Sequence, residues 1–156
     1  MTYHDCFCKQ RSNLSRTNRT NLSMTTSSSD RLLQLSSVLG LTGVGLGAIG
    51  AHALNKTLVE RGVLESWKTA ILYQLFHSVA LLGVAALNAQ NPSARLEKAG
   101  YLMGTGSILF SGSIYMLCLQ IGPKKILGPT TPLGGLIMMG GWGLLGLCSV
   151  SSNKMD

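Results

Sequence analysis

The sequence contains little charge, and none of it lies inside the long apolar runs of the chain. Charged residues make up 12% of the 156 residues, which is about half of the usual share in globular proteins. The stretches without any Asp, Glu, Lys or Arg are those between Arg31 and Lys56, Lys68 and Arg95, Lys98 and Lys124, and Lys125 and Lys154. A water-soluble helical bundle needs a polar face on each helix, and these stretches lack one. The pattern therefore excludes a soluble bundle.

Acidic residues are scarce, and other catalytic patterns are missing. The chain has six Asp and Glu residues, none of them inside an apolar run, so a proton-coupled transporter would lack its usual carboxylate. No Ser–His–Asp or zinc-ligand pattern occurs, and we expect no enzyme activity, cofactor or metal. The basic residues are spread over the first 31 positions and short loops without interleaved aromatics, which argues against nucleic acid as a partner.

The apolar stretches predict four membrane-spanning helices, at residues 32–54, 66–89, 99–121 and 132–150. Each is close to the ~20 residues that cross the ~30 Å hydrocarbon core of a bilayer. The predicted fold is an all-α membrane domain over residues 32–150, a compact up-down four-helix bundle, with a short polar C-terminus at 151–156. We expect a polar connection over Asn55–Ser66 and a rigid turn over Gly122–Thr131, with Thr131 capping the last helix and Pro132 at its first position.

Residues 1–31 form a different kind of segment, rich in Ser, Thr, Asn and Arg. Such a composition buries no core, and we expect this tail to be disordered. It resembles a mitochondrial presequence in being rich in Arg and Ser/Thr and poor in acids; a dispensable tail with a start at Met24 is the alternative. The expected location is the mitochondrial inner membrane or another cellular membrane.

Small residues form a stripe along two of the predicted helices. Because helices associate closely in lipid where small residues line one face, we expect the first and third helices to pack together through these stripes. The two stripes consist of Ser36, Gly40, Gly43, Gly47 and Gly50, and of Gly100, Gly104, Ser107 and Ser111. In the fourth helix, the residues predicted to permit close packing are Gly140, Gly143 and Gly146. The first predicted helix also contains a GxGxxG pattern, from Gly45 to Gly50, but that fingerprint binds dinucleotides only between a strand and a helix N-terminus. We assign these glycines to helix packing.

Four polar residues within or next to the spans are candidate functional groups: His52, Tyr73, Gln74 and His77. A polar group inside a span is costly and marks a functional candidate. We interpret His77 as a neutral imidazole that fixes packing, with Tyr73, Gln74, Ser107 or Ser111 as hydrogen-bond partners. The alternative is a haem held by both histidines, which is disfavoured because His77 is about two turns, roughly 10 Å, deeper than His52.

Four segments of the sequence resemble a known family. They are GAIGAHAL, ending at Leu54; WKTAILYQLFHSVALL, from Trp67; ILFSGSIYMLCL, from Ile108; and LGPTTPLGG, from Leu127. In this order they are similar to the small four-span membrane proteins known as domain of unknown function 423 (transmembrane protein 256-like). The resemblance implies a multi-pass membrane protein of four helices and implies no known activity.

We therefore expect a non-enzymatic membrane protein that acts as a structural or interaction component of a membrane complex. Its expected partners are the lipid bilayer and either further copies of itself or other membrane proteins. The alternative function is a small oligomeric permease or channel with a polar path near His77.

Overall fold

The computed structural model describes the backbone of residues 28–152 and the side chains of residues 28–147. The predicted disordered tail lies outside this range, except that its last four residues begin the first helix. The described chain is all-helical, with α1 at Ser28–Ala51, α2 at Asn55–Glu60, α3 at Leu64–Gln90, α4 at Ala94–Leu119 and α5 at Lys124–Ser152. Three of these helices, α1, α3 and α4, are long and apolar enough to cross a membrane.

The four long helices run alternately up and down. At one end of the α1–α3 pair, Asn88 Nδ2 donates to Ser29 Oγ over 3.1 Å, and near the other end the Trp67 indole donates to the Leu46 carbonyl over 3.2 Å. The α3–α4 pair is antiparallel as well, because Ser111 bonds the Ala70 carbonyl whereas the position of Gly100 faces Val84. In both pairs, therefore, the two helices run in opposite directions.

The predicted polar connection after α1 is a folded cap that contains α2. Leu58 of α2 is fully buried and packs with Trp67, Tyr115 and Cys118. Arg61 follows α2 and donates from Nη1 to the Cys118 carbonyl over 3.0 Å. That carbonyl belongs to the last turn of α4, where helix carbonyls lack partners within the helix. The cap therefore closes this end of the bundle with both apolar and polar contacts.

The predicted turn over Gly122–Thr131 is wrong. The chain reverses over residues 120–122, where Gly122 takes a φ of +87° that suits glycine, and α5 begins at Lys124 and contains both Pro129 and Pro132. Thr131 is not a cap, since its hydroxyl donates to the Leu127 carbonyl and is bonded to Ser113 Oγ of α4 over 2.7 Å. Two prolines and Gly128 are local turn signals, but the contacts with α4 favour a continuous helix here.

The small residues of α1 lie against α3 and not, as predicted, against the stripe of α4. The Ser78 hydroxyl lies at Gly40, Leu75 lies on Gly43, Ile71 lies near Gly47 and the Trp67 indole covers Gly50. Ser36 and Ser78 add a reciprocal pair of hydrogen bonds, each hydroxyl donating to the other residue's carbonyl over 2.9 Å. The stripe thus accommodates the larger side chains of α3, so small residues on one helix are matched by bulky ones on its partner.

The small-residue stripe of α4 does contact α1, but the contacts are made by leucine side chains of α1. Leu32 lies over Gly100 and Leu35 lies over Gly104. Leu32 is fully buried and belongs to a core cluster with Leu81, Val84 and Met103. The predicted association of α1 with α4 therefore exists as leucine-on-glycine packing, without contact between the two stripes themselves.

The backbones of α4 and α5 approach each other closely, at glycines outside the predicted packing positions. A Cβ at Gly134 would lie 2.5 Å from the Phe110 nitrogen, and one at Gly106 would lie 2.7 Å from the Met138 nitrogen. A Cβ at Gly141 would lie 3.0 Å from the Ala99 carbonyl oxygen. By contrast, a Cβ at the predicted packing positions would meet no described atom within 4 Å; these are Gly140, Gly143 and Gly146. That prediction placed the interface on the wrong face of the helix.

Candidate functional site

An open groove of about 690 Å³ lies on one side of the bundle, between α3 and α5. Phe110 is the α4 residue that lines it. Its walls are almost entirely apolar and carry four aromatic rings as well as the His77 imidazole. The residues that α3 contributes are Leu72, Tyr73, Phe76 and His77, and those from α5 are Pro132, Gly135, Leu136, Met138, Met139 and Trp142.

His77 is a buried polar residue at the wall of this groove. It is the central residue of α3, with residues 64–76 before it and 78–90 after it, and it is 3% exposed. Its Nδ1 lies 2.8 Å from the Tyr73 carbonyl oxygen, and the Trp142 indole N–H donates to its Nε2 over 3.2 Å. An indole N–H only donates and a carbonyl only accepts, so Nε2 carries no proton and Nδ1 does. His77 is thus held as a neutral imidazole with both ring nitrogens bonded.

The partners of His77 differ from those expected from the sequence. Tyr73 bonds His77 through its backbone carbonyl and not through its hydroxyl. The second partner is Trp142, which lies 65 positions further along the chain. The helical spacing of Tyr73 and His77 pointed to the first contact. No local pattern could have pointed to Trp142, because its contact with α3 depends on how α5 packs.

Gln74 connects three helices and does not bond His77. Its Nε2 donates to the Leu39 carbonyl over 2.9 Å and to Thr42 Oγ1 over 2.8 Å, both on α1. Its Oε1 accepts a hydrogen bond of 2.9 Å from the Tyr115 hydroxyl of α4. Gln74 is 5% exposed, so this network is buried and all of its amide contacts are within the bundle. Gln74 is a candidate from the sequence, whereas its partners Thr42 and Tyr115 are not.

The predicted partners Ser111 and Ser107 do not bond His77, and neither does the Tyr73 hydroxyl. Ser111 donates to the Ala70 carbonyl over 2.8 Å. Ser107, one turn away, is fully buried and is the one buried side-chain polar atom without a partner in residues 28–147. The Tyr73 ring packs against Phe110 with ring centroids 4.7 Å apart. Its hydroxyl has no hydrogen-bond partner among the described residues.

The two histidines lie at different levels of the bundle. His52 is exposed in the turn that follows α1, whereas His77 is buried at the centre of α3. Within the described part of the chain, no three or more His, Cys, Asp or Glu side chains come together as a metal-ion site would require. The described geometry therefore consists of an apolar groove around one neutral histidine, together with a separate buried amide network.

Comparisons with known proteins give the chain a family. The family model described as "Protein of unknown function (DUF423)" matches residues 46–135. A UPF0382 membrane protein of Schizosaccharomyces pombe is 45% identical over 113 residues, which is 69% of this chain and 92% of the relative. The Escherichia coli UPF0382 inner membrane protein YgdD is 35% identical over 116 residues, 73% of this chain and 85% of the relative.

A second bacterial relative gives a similar match. The UPF0382 membrane protein YwdK of Bacillus subtilis is 36% identical over 117 residues, which is 74% of this chain and 93% of the relative. No solved structure matches the chain significantly. The names of these relatives state a membrane location and no activity, in agreement with the three apolar helices that are long enough to span a bilayer. The chain belongs to the DUF423 family of membrane proteins of unknown function.

Proposed function

We propose that this protein is a four-span, non-enzymatic membrane protein that acts as a structural or interaction component of a membrane complex. The fourth span would be α5, whose only charged residues are Lys124 and Lys125 at its first turn. The close backbone contact with α4 and the hydrogen bond from Trp142 to the centre of α3 support this position. Because α5 packs closely along α4, which is long and apolar enough to span, α5 would lie in the same lipid environment.

The observation that carries the proposal is the pairing of His77. A channel or permease needs polar groups that face a hydrated path, and His77 was the candidate for that role. Both of its ring nitrogens are bonded to protein groups, and the groove beside it is apolar and opens on the outside of the bundle. This arrangement favours a packing role over conduction.

The surface of the bundle supports the lipid bilayer as one partner. Large apolar side chains are exposed on all four long helices, for example Leu41, which is 77% exposed, Leu72, Ile108 and Met139. Apolar surface of this extent requires lipid or other membrane proteins. For the location, the mitochondrial inner membrane is the first membrane to test, because residues 1–31 are rich in Arg and Ser/Thr and poor in acids.

Water access distinguishes the proposed role from the channel. Single cysteines would replace Tyr73 or His77 in a chain whose own four cysteines are changed to serine or alanine. A membrane-impermeant thiol reagent is applied to both sides of proteoliposomes. Lys56→Cys in the cap serves as the reactive control and Leu41→Cys as the lipid-facing control. We expect the groove cysteines to behave like Leu41→Cys, whereas reaction at the rate of Lys56→Cys would support the channel.

Two further measurements test the remaining parts of the proposal. Gly140→Cys in α5, which lies outside the groove, should also be protected from the reagent, because the proposed span places it in lipid; rapid labelling would contradict the fourth span. Native electrophoresis after extraction in a mild detergent should give a species larger than the 16.6 kDa chain. Migration as a monomer would contradict membership of a complex.

A further inference from the structure

The depth of the groove restricts what can enter it. His77 lies about 20 Å from either end of α3, given the rise of 1.5 Å per helical residue. The α5 residues that line the groove extend from Pro132 to Trp142, inward of the two lysines that begin the helix. If α5 is the fourth span, as proposed above, the groove opens sideways into the hydrocarbon at about the middle of the bilayer. An occupant would therefore have to be dissolved in the membrane.

Aromatic rings are concentrated around this groove. Residues 28–147 contain seven Phe, Tyr and Trp residues, and four of them line it. Phe76 and Trp142 have centroids 5.9 Å apart, and His77 lies edge-on to both, 5.5 Å from Phe76 and 6.2 Å from Trp142. Aromatic side chains prefer offset or edge-to-face contacts with other rings at such distances. The lining therefore suits a flat ring better than an alkyl chain alone.

Within residues 28–147, one polar group among the groove-lining residues has no hydrogen-bond partner. His77 and Trp142 bond each other, so neither has a free polar atom toward the groove. The Tyr73 hydroxyl has no partner within residues 28–147, and Tyr73 is 42% exposed. In hydrocarbon no water satisfies such a hydroxyl. An oxygen acceptor on the occupant would satisfy it, and specificity in apolar pockets comes from a few such groups.

The size of the groove favours a small molecule over a protein helix. A stable protein interface uses about 20–30 residues on each side, whereas eleven residues line this groove. Its length along α5, from Pro132 to Trp142, is about 15 Å, half of the ~30 Å that a spanning helix would cover. The volume of about 690 Å³ lies within the range of small-molecule sites, about 300–1,000 Å³.

We infer that the groove between α3 and α5 binds a lipid-soluble molecule that carries a flat ring with carbonyl oxygens on an apolar chain, as quinone-type compounds do. The ring lies among Phe76, Phe110 and Trp142, the Tyr73 hydroxyl donates to a carbonyl oxygen, and the chain extends into the bilayer. The inference rests on the proposed fourth span, because α5 supplies more than half of the lining residues.

The test uses decyl-substituted benzoquinone as the probe and the protein in lipid nanodiscs. Quinones quench tryptophan emission, and binding beside Trp142 should add a saturable component to the linear quenching caused by probe dissolved in the lipid. Gly135→Leu fills the groove, since a Cβ there would lie 3.8 Å from the Phe110 ring, in ordinary contact. Gly140→Leu is the matched control on the same helix, because its Cβ would meet no described atom within 4 Å.

We expect saturable quenching in the wild type and in Gly140→Leu, with an apparent affinity at least about ten-fold weaker in Gly135→Leu, or roughly 1.4 kcal/mol. Tyr73→Phe should weaken binding about five-fold. This factor corresponds to about 1 kcal/mol, the typical net contribution of one hydrogen bond. Decylbenzene, which has the chain and a ring but no carbonyl, should compete poorly.

Three results would overturn the inference: no saturable quenching in the wild type, equal binding by Gly135→Leu, or equal competition by decylbenzene. Labelling of Gly140→Cys, which lies on α5 outside the groove, is measured in the same nanodiscs. If that cysteine reacts from water, the proposed fourth span fails; if it is protected and quenching does not saturate, only the groove inference fails.

Discussion

Trp142 of α5 donates its indole N–H to Nε2 of His77, the central residue of α3, over 3.2 Å. The bond has two consequences for the bundle. It connects two long helices that otherwise flank the groove, and it fixes the imidazole in the neutral form with its proton on Nδ1. The contact thus explains how a histidine is retained in an apolar interior, where a charged group would be costly.

The energy of this contact is measurable by a double-mutant cycle. His77→Leu leaves the indole N–H unpaired and should lower the free energy of unfolding by about 1 kcal/mol, the scale of hydrogen bonds within membranes. His77→Gln should lower it less, because the amide oxygen accepts from Trp142. Together with Trp142→Phe and the double variant, unfolding in mixed micelles should give a coupling energy of about 0.6 kcal/mol. A coupling energy of zero would show that the bond contributes nothing.

The α4–α5 interface should be the part of the bundle most sensitive to added volume. Gly134→Ala places a Cβ against backbone atoms, 2.5 Å from the Phe110 nitrogen, so the helices must separate and stability should fall by about 1–3 kcal/mol. Gly140→Ala is the same substitution on the face of α5 where a Cβ would meet no described atom within 4 Å. It should leave stability unchanged or slightly higher. Equal effects in a detergent unfolding assay would place the interface elsewhere.

The α1–α3 interface should respond more weakly, because its glycines meet side chains. Gly43→Leu collides with Leu75, whose nearest carbon would lie 2.7 Å from the new Cβ, and we expect a cost near the lower end of the ~1–3 kcal/mol range for overpacking. Gly47→Leu should be milder, since Ile71 would be 3.8 Å away. Leu41→Phe on the exposed face is the control. If all three were equally tolerated on unfolding, the stripe would not be an interface.

Two serines one turn apart on α4 should behave in opposite ways. Ser111→Ala removes the hydrogen bond to the Ala70 carbonyl and should cost about 0.6–1 kcal/mol. Ser107→Ala removes a buried hydroxyl that has no partner in the described structure, so it should be neutral or stabilising. Thermal unfolding of the two variants side by side measures the difference. A larger loss for Ser107→Ala would mean that this hydroxyl has a partner in the membrane.

The helical segments were predictable because charge and hydropathy vary along the chain itself. The charge-free stretches located α1, α3 and α4. The same local signals misplaced the start of α5, where Pro129, Pro132 and Gly128 indicate a turn in isolation. There the contacts between Thr131 and Ser113 and between Gly134 and Phe110 determine the outcome, and they join distant parts of the sequence.

The candidate site was predictable only in its α3 half. His77 and Tyr73 were identified because polar side chains are rare in a span. Trp142, Phe110 and the groove itself depend on the rotation of α5 about its axis, which decides whether Gly134 and Gly141 or Gly140 and Gly143 face α4. Glycine spacing does not distinguish these faces, since small residues occur on both.

The protonation state of His77 tests the account most directly, since the packing role requires a neutral ring that accepts from Trp142. Nitrogen NMR of the protein with ¹⁵N-labelled histidine in lipid nanodiscs at neutral pH distinguishes the two tautomers and the cation, and His77→Gln assigns the signal. We predict a single neutral form, with Nδ1 protonated and Nε2 unprotonated and hydrogen-bonded, which changes when Trp142 is replaced by Phe. An imidazolium, or a ring protonated at Nε2, would contradict the bond to Trp142 and the packing role of His77.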